Sequence, residues 1–210
     1  MKWLGALRGR SGRGSSPTVT SAPDADPDVE TEDVIWSLVA QGYVGRDEII
    51  GTAREVYEDA AGADADHDRI AASVDAALAA HRLASDAWPA STDCDRLDEA
   101  FRALDAAGIV ARQDFACCRT CGFAEIGDEI EDPDRTVGFT FFHRQDTERA
   151  ADGGGLYLAY GSLDDDDATT AEVAKTIVAT LTDAGLRPAW DGSIDRRIEV
   201  PMDWKRRRPA

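Results

Sequence analysis

Three of the four cysteines, Cys117, Cys118 and Cys121, lie in one short run, Ala116-Cys117-Cys118-Arg119-Thr120-Cys121-Gly122. Cys118 and Cys121 have the spacing of a metal knuckle. The turn between them lets two thiolates converge on one ion while backbone N–H groups support the sulfurs, and a glycine after the second relieves crowding. A closed zinc site needs four ligands. Cys117 joins if the chain turns there, and faces away if the preceding strand continues through it. Cys94 and His143 are the other candidates, so the metal reading rests on Cys118, Cys121, Cys117 and His143, with Zn2+ as the ion. The same spacing, between a strand and a helix, suits a dithiol redox centre using Cys118 and Cys121. The helix start and Arg119 would lower the thiol pKa of Cys118. The flanks lack a Trp-Cys-Gly-Pro-Cys type of environment, and Cys117 would compete in exchange. The third reading is that the thiols are small, inert packing groups.

His143 ends the aromatic run Phe139-Thr140-Phe141-Phe142 and precedes Arg144-Gln145-Asp146-Thr147-Glu148-Arg149. A histidine at a strand end beside acids can act as a ligand, a general base or a partner of a thiolate. A Cys–His hydrolase would require it within hydrogen-bond reach of a cysteine sulfur. The plainer expectation is a histidine capping a short helix, with Asp146, Glu148 and Arg149 on a solvated face. Asp64-Ala65-Asp66-His67-Asp68 opens like a calcium loop, but Arg69 replaces the turn glycine and no glutamate closes it, so a helix start is expected. Gly153-Gly154-Gly155 precedes a strand, the wrong order for a phosphate-cradling loop.

The elements that must position these groups follow from periodicity. Residues 1–30, rich in Gly, Ser, Pro and Asp, read as a disordered tail. Apolar stripes at Val34, Ile35, Leu38 and Val39, at Ile49, Ile50, Ala53, Val56 and Tyr57, and at Ile70, Val74 and Leu78 predict three helices in segment 31–89. Gly42-Tyr43-Val44-Gly45 joins the first two as a helical hairpin. Pro89-Ala90-Ser91-Thr92 is the expected joint to a second unit, 93–204, in which helix and strand signals alternate. Leu97, Phe101 and Leu104 mark a helix stopped by Gly108. Strands are predicted at 109–116, 137–142, 156–161, 187–190 and 197–201. A helix over 169–184 has Thr169 and Glu172 as its expected capping box, and Asp164 to Asp167 favour its positive end. The fold class is α+β: a helical N-terminal part, then a mixed four- to five-stranded sheet with helices packed on it.

The chain has 210 residues, 43% of them hydrophobic, and a net charge of −18. Both ends are basic (Lys2, Arg8, Arg10 and Arg13; Lys205 to Arg208), and setting these aside leaves about −26 on the body between them. A body so acidic repels phosphate backbones, so nucleic acid is not the expected partner. No apolar run approaches the ~18 residues of a membrane span, and the first apolar stretch ends at Arg8, too soon for a signal peptide. The chain is expected in the cytoplasm, where thiols stay reduced and clustered cysteines serve metal or redox roles.

Several stretches together resemble a family of uncharacterised bacterial proteins, a domain of unknown function. These are Asp95-Arg96-Leu97 with Phe101, Gly108-Ile109-Val110-Ala111, the Cys-Cys-x-x-Cys-Gly run, Phe142-His143 with Gln145-Asp146-Thr147-Glu148, Leu156-Tyr157-Leu158-Ala159-Tyr160-Gly161, and Trp190-Asp191-Gly192 with Arg197-Ile198. The resemblance implies that the cysteine run and the His143 segment belong to one module, and it implies no activity. The expected function is a zinc-stabilised binding or regulatory module that engages a protein or small-molecule partner. The alternative is a thiol redox protein or sensor.

Overall fold

The computed structural model describes residues 26–164 and 166–208. Asp26 accepts a hydrogen bond from the Asp28 backbone, and Pro27 occupies the first helical position, so helix α1 spans Pro27–Gln41. It therefore begins inside the segment read from sequence as tail, and residues 1–25 of that segment lie outside the described residues. Gly42 ends α1 with a left-handed φ of 85°, and α2 (Arg46–Ala61) follows in the expected hairpin. Asp66 accepts from the Arg69 backbone to start α3 (His67–Ser85), as the helix-start reading of the acidic stretch predicts. The apolar stripes of these three helices converge on a cluster of Ile35, Val39, Ile49, Ile50, Ala53, Ile70, Val74 and Ala77.

Thr92 and Asp95 form a reciprocal capping box at the start of α4 (Asp93–Ala106). The rest of the chain runs β1 (Ile109–Arg112), α5 (Arg119–Glu125), a 3₁₀ turn (Ile126–Glu129), β2 (Gly138–Phe141), α6 (Arg144–Ala151), β3 (Leu156–Ser162), α7 (Asp167–Asp183) and β4 (Ile198–Val200). The sheet order is β1-β2-β3-β4, with β1 and β2 parallel and the other neighbours antiparallel. The fold is α+β with a mixed four-stranded sheet. The stretch predicted as a strand at 187–190 contributes only a bridge between Ala189 and Glu199. The cap of α7 is Asp166, whose carboxylate accepts from the Thr169 backbone, so the expected Thr169–Glu172 capping box is replaced by one carboxylate. No described helix is long and apolar enough to cross a membrane.

Side chains alternate across the pleat, so the sheet has two apolar faces to cover. Ile109, Ala111, Leu156, Leu158, Tyr160, Ile198 and Val200 pack with Leu97, Phe101 and Leu104 of α4 and Val173, Ile177 and Leu181 of α7. The opposite face presents Val110, Phe139, Phe141 and Ala159, covered by Phe115, Ile126 and Ile130. Phe123 of α5 lies edge-on to both Phe139 and Phe141. The cysteine run must therefore sit on this second face, because α5 is part of what covers it.

The basic C-terminal run folds back across the molecule. Trp204 donates its indole N–H to the Ala40 carbonyl at 3.1 Å. Arg206 pairs with Asp98 at 2.7 Å, donates to Gln113 at 2.7 Å, and stacks over the Tyr43 ring at 4.3 Å. Arg207 pairs with Asp95 at 2.9 Å. Arg208 donates to the Leu38, Val39 and Val44 carbonyls, two of them in the last turn of α1, where helix carbonyls lack intrahelical donors. This strap ties the three-helix cluster to α4 and the sheet. Arg206→Ala is expected to lower stability by about 2 kcal/mol, since it leaves Asp98 and Gln113 short of a donor in a half-buried site. Chemical denaturation checks this, and an unchanged midpoint would mean that the strap carries no stability.

Candidate metal centre

Strand β1 is predicted to run to 116 but stops at Arg112. The following loop contains two non-glycine residues in the left-handed region, Asp114 (φ 50°) and Ala116 (φ 58°). Such conformations are sparsely populated and persist only where surrounding contacts hold them. Those contacts come from the segment after β2. Phe115 N–H donates to the Phe142 carbonyl at 2.8 Å, and Arg144 N–H donates to the Ala116 carbonyl at 3.2 Å. Thr147 Oγ1–H donates to Asp114 Oδ1 at 2.6 Å. The turn makes Cys117 face the other thiols, which resolves the orientation that the sequence leaves open.

Cys118 is the N-cap of α5, and Cys121 lies in its first turn. The Sγ of Cys121 stands 3.4 Å from that of Cys117 and 3.6 Å from that of Cys118. All three sulfurs lie within 4.8 Å of one another, and among the described residues no histidine or carboxylate joins the group. Cys117 is exposed, and Cys118 and Cys121 are half-buried. Hydrogen bonds from the Cys121 backbone N–H and thiol hold the Cys118 thiol below its ordinary value. The Cys121 thiol is pushed up to about 12 by its contacts with Cys117 and Cys118 and by their charge. The N–H support of a sulfur is the feature expected of a knuckle. Bringing three thiols together without an ion is unfavourable for their joint ionisation, which is what a bound cation would relieve.

Gly122 has a different reason from the one its place after Cys121 suggests. A Cβ there would overlap the Phe141 ring, so the glycine lets α5 lie flat on the sheet. The knuckle is held by this close approach and by the edge contact of Phe123 with Phe141.

His143 and Cys94 do not stand among the thiols. Cys94 is buried in α4, and burial pushes its thiol up to about 12. His143 is the N-cap of α6, as the capping reading expects. Its Nε2 lies 3.0 Å from Asp146, and its Nδ1 has no hydrogen-bond partner, so the contact required by a Cys–His hydrolase is absent. The expectation of Asp146 on a solvated face is also overturned. Glu148 and Arg149 are exposed, but Asp146 is 0% exposed. It accepts two hydrogen bonds from Arg197, at 2.8 and 3.0 Å, just before β4. The signal for this was present in the spacing. Asp146, Thr147 and Ala150 share the inward face of α6, and an acid three residues after an N-cap points back at the cap. Arg197 carries no such signal, because only the fold brings it across.

Arg119, next to Cys118 in the chain, lines an open groove of about 680 Å³ with Tyr157, Trp190, Arg196, Arg197 and the acids Asp191, Asp195 and Glu199. Arg149 and Arg197 both place their guanidinium groups over the Tyr157 ring, at 5.1 and 5.0 Å. Burial pushes the His143 imidazole below its usual range, against the pull of Asp146 and with the help of Arg197, Arg119 and Arg149.

Two outcomes follow. Gly122→Ala is expected to cost about 1–3 kcal/mol by overpacking against Phe141, and to weaken any ion held by Cys118 and Cys121. Denaturation and metal titration of the variant check both. Because His143 has a lower pKa folded than unfolded, the unfolded chain takes up its proton first as the pH falls below about 6.5, and stability falls with it. His81, also lowered by burial, adds to the same loss. The urea midpoint should drop between pH 7.5 and 5.5, and drop less in His143→Gln. A midpoint that rises on acidification contradicts the assignment.

Comparison with curated proteins and with solved structures finds no match. Comparison with family models does: the model described as a domain of unknown function, DUF6891, matches residues 24–208. The match spans both the three-helix cluster and the sheet that carries the thiols. The chain belongs to this family.

Proposed function

We propose that the chain is a metal-stabilised binding or regulatory module in which Cys117, Cys118 and Cys121 hold one zinc ion. The observation that carries this reading is the convergence of three sulfurs within 4.8 Å at the start of a short helix that packs edge-on against the sheet. An all-thiolate donor set suits zinc and other thiophilic ions and disfavours magnesium and calcium. Zinc linking Cys117 in the loop to Cys121 in α5 would fix a seven-residue helix too short to persist by propensity alone. The groove that Arg119 lines mixes arginines, carboxylates and two aromatic rings, a lining suited to a polar protein segment or a small charged molecule as the partner.

Elemental analysis of the purified, untagged protein is expected to find about one zinc per chain, reduced at least severalfold in Cys121→Ser. Less than a tenth of an equivalent in the wild type would sink the proposal.

A second reading, a thiol redox centre, is favoured by geometry: Cys118 stands at the N-cap of α5 with its sulfur 3.6 Å from that of Cys121, as in a dithiol exchange pair, and these contacts hold the Cys118 thiol below its ordinary value. On that reading Cys118 is alkylated well before Cys121 at neutral pH. Thiols that all titrate near the free value of about 8.5 would remove it.

A further inference from the structure

Three thiolates leave a zinc ion one ligand short of a closed site. Near the thiol loop, one buried group has an unused electron pair. His143 Nε2 faces the Asp146 carboxylate at 3.0 Å. A carboxylate only accepts, so this nitrogen carries the proton in the neutral ring. Nδ1 is then an acceptor, and it is buried without any donor. Native proteins leave few such atoms unpaired, and each asks for a reason.

We propose that His143 Nδ1 is the fourth ligand of the ion, an inference that rests on the three-thiolate reading above. The backbone brings the two parts together: Arg144, next to His143, donates to Ala116, next to Cys117. The pairing resembles that of metal-bound histidines, whose distal nitrogen stands beside a carboxylate that fixes the tautomer and raises the basicity of the ligating nitrogen; here Nε2 stands 3.0 Å from Asp146. Arg197 holds that carboxylate in turn. Arg119 and Arg149 bring further positive charge near His143, which offsets the net negative charge of a zinc ion carrying three thiolates. His143 stands outside the 4.8 Å thiol group, so the fourth bond forms only as the ion draws the ring and the thiols together.

The test uses the full chain, with zinc and cadmium as probes. On adding one equivalent of zinc, the Nδ1 resonance of His143 in the ¹⁵N-labelled wild type is expected to move to a metal-bound position while Nε2 stays protonated. With ¹¹³Cd the same nitrogen should show coupling to the metal. Asp146→Asn is expected to weaken zinc about 10–100-fold. His143→Gln should weaken it at least as much, with circular dichroism confirming that each variant is folded. A thiolate–cadmium charge-transfer band with an unmoved His143 Nδ1 overturns the inference and leaves the three-thiolate site standing, its fourth ligand being water or a partner. A wild type with no thiolate–metal band at all overturns both. The labelled wild-type measurement needs no variant, so misfolding of either substitution does not spare the proposal.

Discussion

The Asp146 carboxylate is the fixed point of the cysteine side of this molecule. A carboxylate with no exposure needs polar partners to remain buried, and Asp146 has one from far along the chain and one three residues before it. Arg197 reaches it from the start of β4, and His143 from the junction of β2 and α6. Thr147, one residue on, reaches Asp114 in the loop that delivers the thiols. Through these bonds α6, the sheet edge and the left-handed loop share one geometry. Loss of the carboxylate would leave a half-buried guanidinium and a histidine without orientation.

On that frame the cysteine cluster is a consequence of covering the sheet. Phe139 and Phe141 make one face too apolar to leave in water, and α5 is the element at hand. It is short, so it must lie close, and Gly122 permits the approach to Phe141. Close approach places Cys118 and Cys121 beside the end of the loop, where the turn at Ala116 brings Cys117 to face them. Three thiols that repel one another on ionisation are a costly arrangement to leave without a cation. The same crowding makes Cys118 and Cys121 unequal, so the metal and redox readings draw on one physical cause.

Much of the fold is legible in the sequence because periodicity reports burial directly. The three stripes at Ile35, Ile49 and Ile70 meet as one cluster, and the alternation of Leu156, Leu158 and Tyr160 marks the sheet face that α4 and α7 cover. The spacing of Cys118 and Cys121 likewise points to the site. What sequence misses is long-range pairing. The sequence shows the arginines from Arg206 to Arg208 only as a basic run; that they form a strap is not legible there, because their partners, Asp98, Asp95 and the end of α1, lie more than a hundred residues away. Asp146 looks exposed among charged neighbours and is buried because Arg197 arrives opposite it. The strand at 187–190 shrinks to one bridge, Ala189 with Glu199, on the outer edge of β4, which is itself only three residues long.

Whether three thiolates of one short run hold a metal is read most directly by X-ray absorption at the zinc edge of the purified protein. Three sulfur scatterers at about 2.3 Å and one lighter atom at about 2.0–2.1 Å are expected. A shell of oxygen and nitrogen alone, or no bound zinc to measure, would contradict a three-thiolate site.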